Sequence, residues 1–201
     1  GMKKMFNTLT KLSGAIIAAA CLFVNLSVHA GDGALGADAI GIHTGFSASD
    51  LNDRKDDYEV IPIVVRFGYD IDDWMADTVG LGAGDWWFNV EPFYGQAVSP
   101  NNRVEFGCAL MLRWAHPVSD TKLGVFLEGG AGPMYMTQET EEQGTKFNFI
   151  DYLGCGLTYA LDQDMDIELG IRYRHVSNAG IDDENAGIDG YTGLLGVTRK
   201  F

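Results

Sequence analysis

The chain has 201 residues, with 28 acidic against 14 basic side chains and a formal net charge of −14. That length holds one domain of ordinary size, and the charge argues against a nucleic-acid partner, whose phosphates it would repel. The three cysteines match no metal-binding spacing.

Gly1 stands ahead of Met2 and reads as an added residue. Lys3, Lys4 and Lys11 make a positive start, an apolar small-residue run follows, and Val28-His29-Ala30 suits a signal peptidase. Residues 1–30 are therefore the added glycine plus a secretory signal, with 31–201 as a single mature domain. Cys21 as a lipoprotein cysteine is the weaker alternative, because Ala18 sits where a larger aliphatic residue is usual. Without the three leader lysines, the 14 basic residues fall to 11 against 28 acidic, a net charge of −17. The acids cluster in "SDLNDRKDDYE", "QETEEQG" and "IDDENAG". These read as solvated loops, with a divalent-cation bridge to anionic lipid as the weaker alternative. Cys108 and Cys155 fall in different, non-neighbouring strand-like runs and are expected to be free.

Strand-length segments of period-2 alternation recur along the mature chain, separated by Gly, Asp, Asn and Pro clusters. Eight are expected, at about 37–48, 58–70, 86–97, 103–115, 122–136, 146–160, 164–177 and 189–201. In the fourth, Val104, Phe106, Cys108, Leu110, Leu112 and Trp114 oppose Glu105, Gly107, Ala109, Met111 and Arg113. In the seventh, Met165, Ile167, Leu169, Ile171 and Tyr173 oppose Asp166, Glu168, Gly170, Arg172 and Arg174. One face is apolar, while the other mixes small and charged residues.

Two closed eight-stranded antiparallel barrels fit this pattern. A soluble lipocalin-like carrier points its apolar face inward; an outer-membrane barrel points it at lipid and fills the lumen with the charged face. Strand length favours the transmembrane β-barrel, because segments of about 10–14 residues cross a bilayer when tilted. So do the aromatics near strand ends, among them Trp86, Trp114, Tyr135, Phe147, Tyr173 and Tyr191, which resemble interfacial girdles. The sequence "GLLGVTRKF" ending at Phe201 resembles an outer-membrane insertion signal. The expected location is the outer membrane. Inside, Glu91, Glu105, Glu128, Asp166 and Glu168 are expected to pair with Arg66, Arg113, Arg172 and Arg174 and plug the lumen. His43 should join that interior, and His116 should be solvated in a turn before Pro117. The connection at about 70–85, with Trp74, is long for a periplasmic turn.

Both termini of such a barrel face the periplasm, so the loop after the seventh strand faces outward. His175 and Ser177 continue the apolar parity of that strand and therefore sit on the outer wall, about 7 Å apart at the backbone. Asp189 shares outward parity with Tyr191, Leu195 and Val197 on the next strand. A Ser, a His and a carboxylate converging on one wall match the nucleophile, base and orienting acid of an acyl-transfer site. By itself a His-x-Ser pair is a weak signal, and polar residues at a strand end usually decorate the interface.

The stretch "RYRHVSNAGIDDENAGID" resembles the signature of the outer-membrane lipid A 3-O-deacylases, the PagL family. The likeness is dense over about 164–201 and looser over "FLEGGAGPMYM" and "FNFIDYLGCGLTY". It implies an eight-stranded outer-membrane esterase that removes the 3-position acyl chain of lipid A, with His175 as base, Ser177 as nucleophile and Asp189 as acid. It also implies that Asn178 and Asn185 serve the oxyanion hole, with the Gly180 N–H as a lesser donor. The family's usual acid is Glu, one methylene longer than Asp189, so Glu184 in the loop is the alternative acid. No metal or cofactor is expected. The expected partners are lipid A within lipopolysaccharide and outer-membrane lipid, with a homodimer left open. Two other functions stay open: a structural or adhesive barrel without activity, and an acyltransferase.

Overall fold

The computed structural model describes residues 34–51, 57–138 and 142–201. The expected leader lies outside them, as do parts of the first two acidic loops. Eight strands follow one another: β1 (Ala39–Asp50), β2 (Tyr58–Asp70), β3 (Asp85–Ser99), β4 (Arg103–Pro117), β5 (Leu123–Met136), β6 (Phe147–Ala160), β7 (Met165–Ser177) and β8 (Ile188–Lys200). Each pairs antiparallel with its chain neighbour, and β8 closes on β1 through an unbroken register from Ala39↔Lys200 to Asp50↔Asp189. Closure leaves no unpaired strand edge, the condition for a sheet that spans lipid.

The alternation read from the sequence sorts side chains as expected. Leu110, Leu127, Leu153, Leu169, Ile171 and Leu195 stand on the outer wall, each about half exposed or more. An apolar belt of that extent is a surface for hydrocarbon, not for water. Cys108 and Cys155 are free, on β4 and β6.

The inward face of the barrel carries two layers. Over the middle and the end holding the termini, Arg66 donates to Glu91 (2.7 Å), Glu168 (2.7 Å) and Glu128 (3.3 Å). Arg172 bridges Glu91 and Glu128, each at 2.7 Å. Arg113 donates to Glu168 at 2.8 Å, and His43 Nε2–H donates to the same carboxylate at 3.0 Å. Arg174 grips both oxygens of Glu105 at 3.0 Å. All of these side chains are buried. Asp166, expected in this network, lies at the barrel mouth and pairs with Lys200 at 3.0 Å, because it is the second residue of β7 and faces the end of β8.

Beyond Arg174 the interior turns apolar. Leu51, Tyr58, Val60, Phe93, Met136, Ile150, Val176 and Ile188 form one buried cluster beneath the loops. Parity reads these positions as lumen but does not read what covers them. All eight are at most 7 % exposed, so apolar side chains fill this end of the lumen. At the opposite mouth a cavity of about 190 Å³ reaches in as far as Arg66, Arg113 and Glu168 and stops. The plugged interior has no through-channel among the described residues.

The long connection between β2 and β3 forms a helical turn at Asp72–Trp74 that continues as a π-helical turn at Met75–Val79. Met75 is buried and Trp74 exposed. β4 runs through His116 to Pro117, so the expected turn starts later; the exposed His116 ring stacks on Trp114 at 5.7 Å.

Candidate active site

His175 and Ser177 lie in the last three residues of β7, and Asp189 is the second residue of β8. The β7–β8 register sets His175 directly opposite Asp189. Both belong to the outward parity, so both side chains stand on the outer wall beside the β7–β8 loop. His175 Nδ1–H donates to Asp189 Oδ1 at 2.7 Å. That bond leaves Nε2 as the free lone pair of a neutral imidazole. Glu184, the alternative acid, is held in the loop by its backbone carbonyl, which accepts from Asn178 Nδ2 and from Gly144 N–H, and no hydrogen bond joins its carboxylate to His175 among the described residues. The His175 side chain is 34 % exposed and that of Asp189 57 %, so the pair is reachable from outside.

Ser177 continues the same outward face two residues beyond His175 and is half-buried. No hydrogen bond joins it to His175 in this structure. Two alternate strand positions lie about 7 Å apart, and catalytic hydrogen bonds of this kind are often long before substrate binds.

The loop after Ser177 is built around Asn178, which is fully buried. Its backbone N–H donates to Asn185 Oδ1 (2.8 Å), its Nδ2 to the Glu184 carbonyl (2.8 Å), and its Oδ1 accepts from Gly180 N–H (2.9 Å). Asn178 and Gly180, expected as oxyanion donors, therefore have these N–H groups engaged inside the loop. Asn178 Nδ2 keeps its second N–H but is fully buried, whereas the Asn185 side-chain amide has no donor bond among the described residues and Asn185 is exposed. The loop is also stitched to the one between β5 and β6, where Gly144 N–H donates to Glu184 O and Ala186 N–H to Glu142 O, and Gln143 Nε2 of that second loop donates to Val176 O of β7 at 3.1 Å.

Three neighbours of the pair escape a reading by residue type. Gly187 has a positive φ of 81°, and a Cβ there would come within 2.7 Å of the His175 ring. It gives the imidazole its space. Asp151 of β6 lies opposite His175 on its other side and is exposed. Tyr173, one alternate position below His175, donates its hydroxyl to Asp189 Oδ1 at 2.5 Å. Strand parity would have put Tyr173 and Asp151 on the site's wall, but only the inter-strand register brings them alongside it.

A closed, plugged eight-stranded barrel with an apolar outer belt is an outer-membrane barrel. Solved structures share that fold: neisserial surface protein A, with a TM-score of 0.60 at 12 % identity over 81 % of this chain and 96 % of that one, and the outer-membrane enzyme PagL, with a TM-score of 0.53 at 17 % identity over 79 % and 97 %. A model of the lipid A 3-O-deacylase (PagL) family matches residues 63–198, and the chain belongs to that family. The lipid A deacylase PagL of Bordetella bronchiseptica is 29 % identical over 115 residues. The match covers 56 % of this chain, and it spans just over half the length, 56 %, of that relative.

Proposed function

We propose that this protein is an outer-membrane esterase that hydrolyses an ester-linked acyl chain of lipid A, the 3-position chain by family membership. The observation that carries the reading is the His175–Asp189 hydrogen bond on the lipid-facing wall, with Ser177 on the same face beside it. Asp189 holds the imidazole in the tautomer that leaves Nε2 basic and stabilises the imidazolium that forms. As Ser177 Oγ attacks the ester carbonyl, its proton passes to His175 Nε2. The tetrahedral intermediate collapses to an acyl-enzyme, and His175 returns the proton to the departing sugar oxygen, which leaves as a hydroxyl. Water, deprotonated by the same imidazole, then releases the fatty acid and restores Ser177. The side-chain amide of Asn185 is the donor for the oxyanion. Asn178 serves by fixing the loop that carries it, and the Gly180 N–H takes part in that fixing. A site on the outer wall lets the other acyl chains of the substrate stay in the bilayer while one ester reaches the serine.

The test is mass spectrometry of lipid A incubated with the refolded protein in detergent, wild type beside Ser177→Ala. Loss of one hydroxyacyl mass with wild type alone supports the esterase and its nucleophile. Transfer of the chain to a second lipid, with little free fatty acid, makes the protein an acyltransferase. An unchanged lipid A with both folded proteins, across several lipid A forms, leaves a barrel with a structural role.

A further inference from the structure

Asp189 Oδ1 accepts two hydrogen bonds, from His175 Nδ1 (2.7 Å) and from the Tyr173 hydroxyl (2.5 Å). The two donors approach from different heights on the wall. His175 is level with Asp189 across the strand pair, while Tyr173 is level with Tyr191, two residues further from the loop. Tyr173 therefore reaches Asp189 from the hydrocarbon side, where no water can donate to a carboxylate. A carboxylate at this boundary is hydrated only from above. On the lipid side it is either unsatisfied, at substantial cost, or bonded by a protein donor. Tyrosine suits that place: the ring lies in the apolar belt and the hydroxyl points to the polar edge. The ring is itself held, packing edge-on against Tyr191 with centroids 5.8 Å apart.

We propose that Tyr173 is a positioning residue for the acid of this site, fixing the Asp189 carboxylate so that it presents Oδ1 to His175. The inference rests on the esterase reading above. Asp189 is short, its side chain is 57 % exposed, and no other side-chain donor besides His175 and Tyr173 reaches it among the described residues. Without the phenol, the carboxylate is free to turn toward water above the membrane and leave His175 unoriented. Asp151, on the other flank of His175, does not bond the imidazole. Tyr173 bonds the acid and stands four residues from Ser177 along β7, so it acts through Asp189.

Tyr173→Phe keeps the ring, its packing on Tyr191 and its place in the aromatic girdle, and removes only the hydroxyl. The experiment measures kcat and KM for deacylation of purified lipid A in detergent for wild type, Tyr173→Phe, Asp189→Asn and the double variant, with Ser177→Ala as control. A lost hydrogen bond to a charged group predicts a fall in kcat of about tenfold or more for Tyr173→Phe, with KM little changed. In the Asp189→Asn background the same substitution should cost much less, because the carboxylate it positions is already replaced by an amide that cannot stabilise an imidazolium as the charge does. A Tyr173→Phe enzyme with wild-type kcat overturns the proposal, as does an equal loss with and without Asp189, which marks the tyrosine as girdle structure. If Ser177→Ala is as active as wild type, the esterase reading itself falls; a dead Ser177→Ala beside a fully active Tyr173→Phe sinks only the positioning role.

Discussion

The barrel holds its ionisable groups in two settings that differ in almost every respect. Inside, four arginines meet four glutamates and a histidine, all buried, in a network where most partners are shared. On the outer wall a single imidazole meets a single carboxylate, both partly exposed, beside a serine with no bond to either. Every charge of the lumen set meets an opposite charge, with His43 Nδ1 and Arg174 Nε the atoms left without a partner among the described members of the set, and its chemistry ends in ion pairing. Among the described residues, the wall set keeps an imidazole nitrogen and a serine hydroxyl without hydrogen-bond partners, on the face turned to lipid. Burial and mutual satisfaction favour stability; partial exposure and an open valence favour reactivity.

That contrast makes predictions of graded size. The largest concerns His175→Ala, expected to lower deacylation by about a thousandfold or more while the barrel unfolds at the same urea concentration as wild type. Arg172→Ala should do the reverse. It takes a 2.7 Å partner from each of Glu91 and Glu128 and leaves Arg66 to serve both buried carboxylates, so urea unfolding in detergent should show a loss of about 3 kcal/mol, with activity per folded molecule largely kept. A shift in stability for His175→Ala as large as that for Arg172→Ala would erase the distinction.

Gly187→Ala comes next. A methyl there meets the His175 ring and the backbone is left-handed, so activity should fall about a hundredfold through misplacement of the base, with the fold intact by circular dichroism. Asn178→Ala removes two side-chain hydrogen bonds from the loop. It should reduce kcat about tenfold by loosening Asn185, and speed cleavage of that loop by added protease. The smallest effect is expected for Asp151→Asn, under about threefold in kcat: an exposed neighbour contributes little to a site whose acid is already bonded. A loss as deep as that of Asp189→Asn would give Asp151 a share in the acid's role.

The lumen was largely readable in advance. Alternation placed Arg66, Glu91, Glu128, Glu168 and Arg172 on one face, and a closed narrow barrel leaves such charges no partner but one another. Asp166 was misjudged because parity gives the side of the sheet and not the distance from the mouth. The apolar cap of Leu51, Met136, Ile150 and Ile188 was not foreseen for a related reason: those positions alternate like lumen residues, and only the closed barrel packs them into one buried cluster. At the wall, the shared parity of His175, Ser177 and Asp189 was visible, and with it the candidate site. The roles expected of Asn178 and Gly180 as donors did not anticipate that a buried Asn178 would engage its own N–H groups and that of Gly180 in tying the loop.

What the sequence determined by itself follows from a period of two. It set the number of strands, the closed barrel, the charged interior and the outward placing of His175, Ser177 and Asp189, since each depends only on which side of a strand a residue faces. What the tertiary structure decided depends on how far along each strand the neighbours align. The register of β7 against β8 sets Asp189 opposite His175 and leaves Glu184 in the loop, and it carries the Tyr173 hydroxyl to the same oxygen. A slip of one residue between these two strands would put Asp189 on the opposite face from His175 and Tyr173. The register that the closed barrel imposes is therefore what turns three polar residues on a lipid-facing wall into a candidate catalytic site.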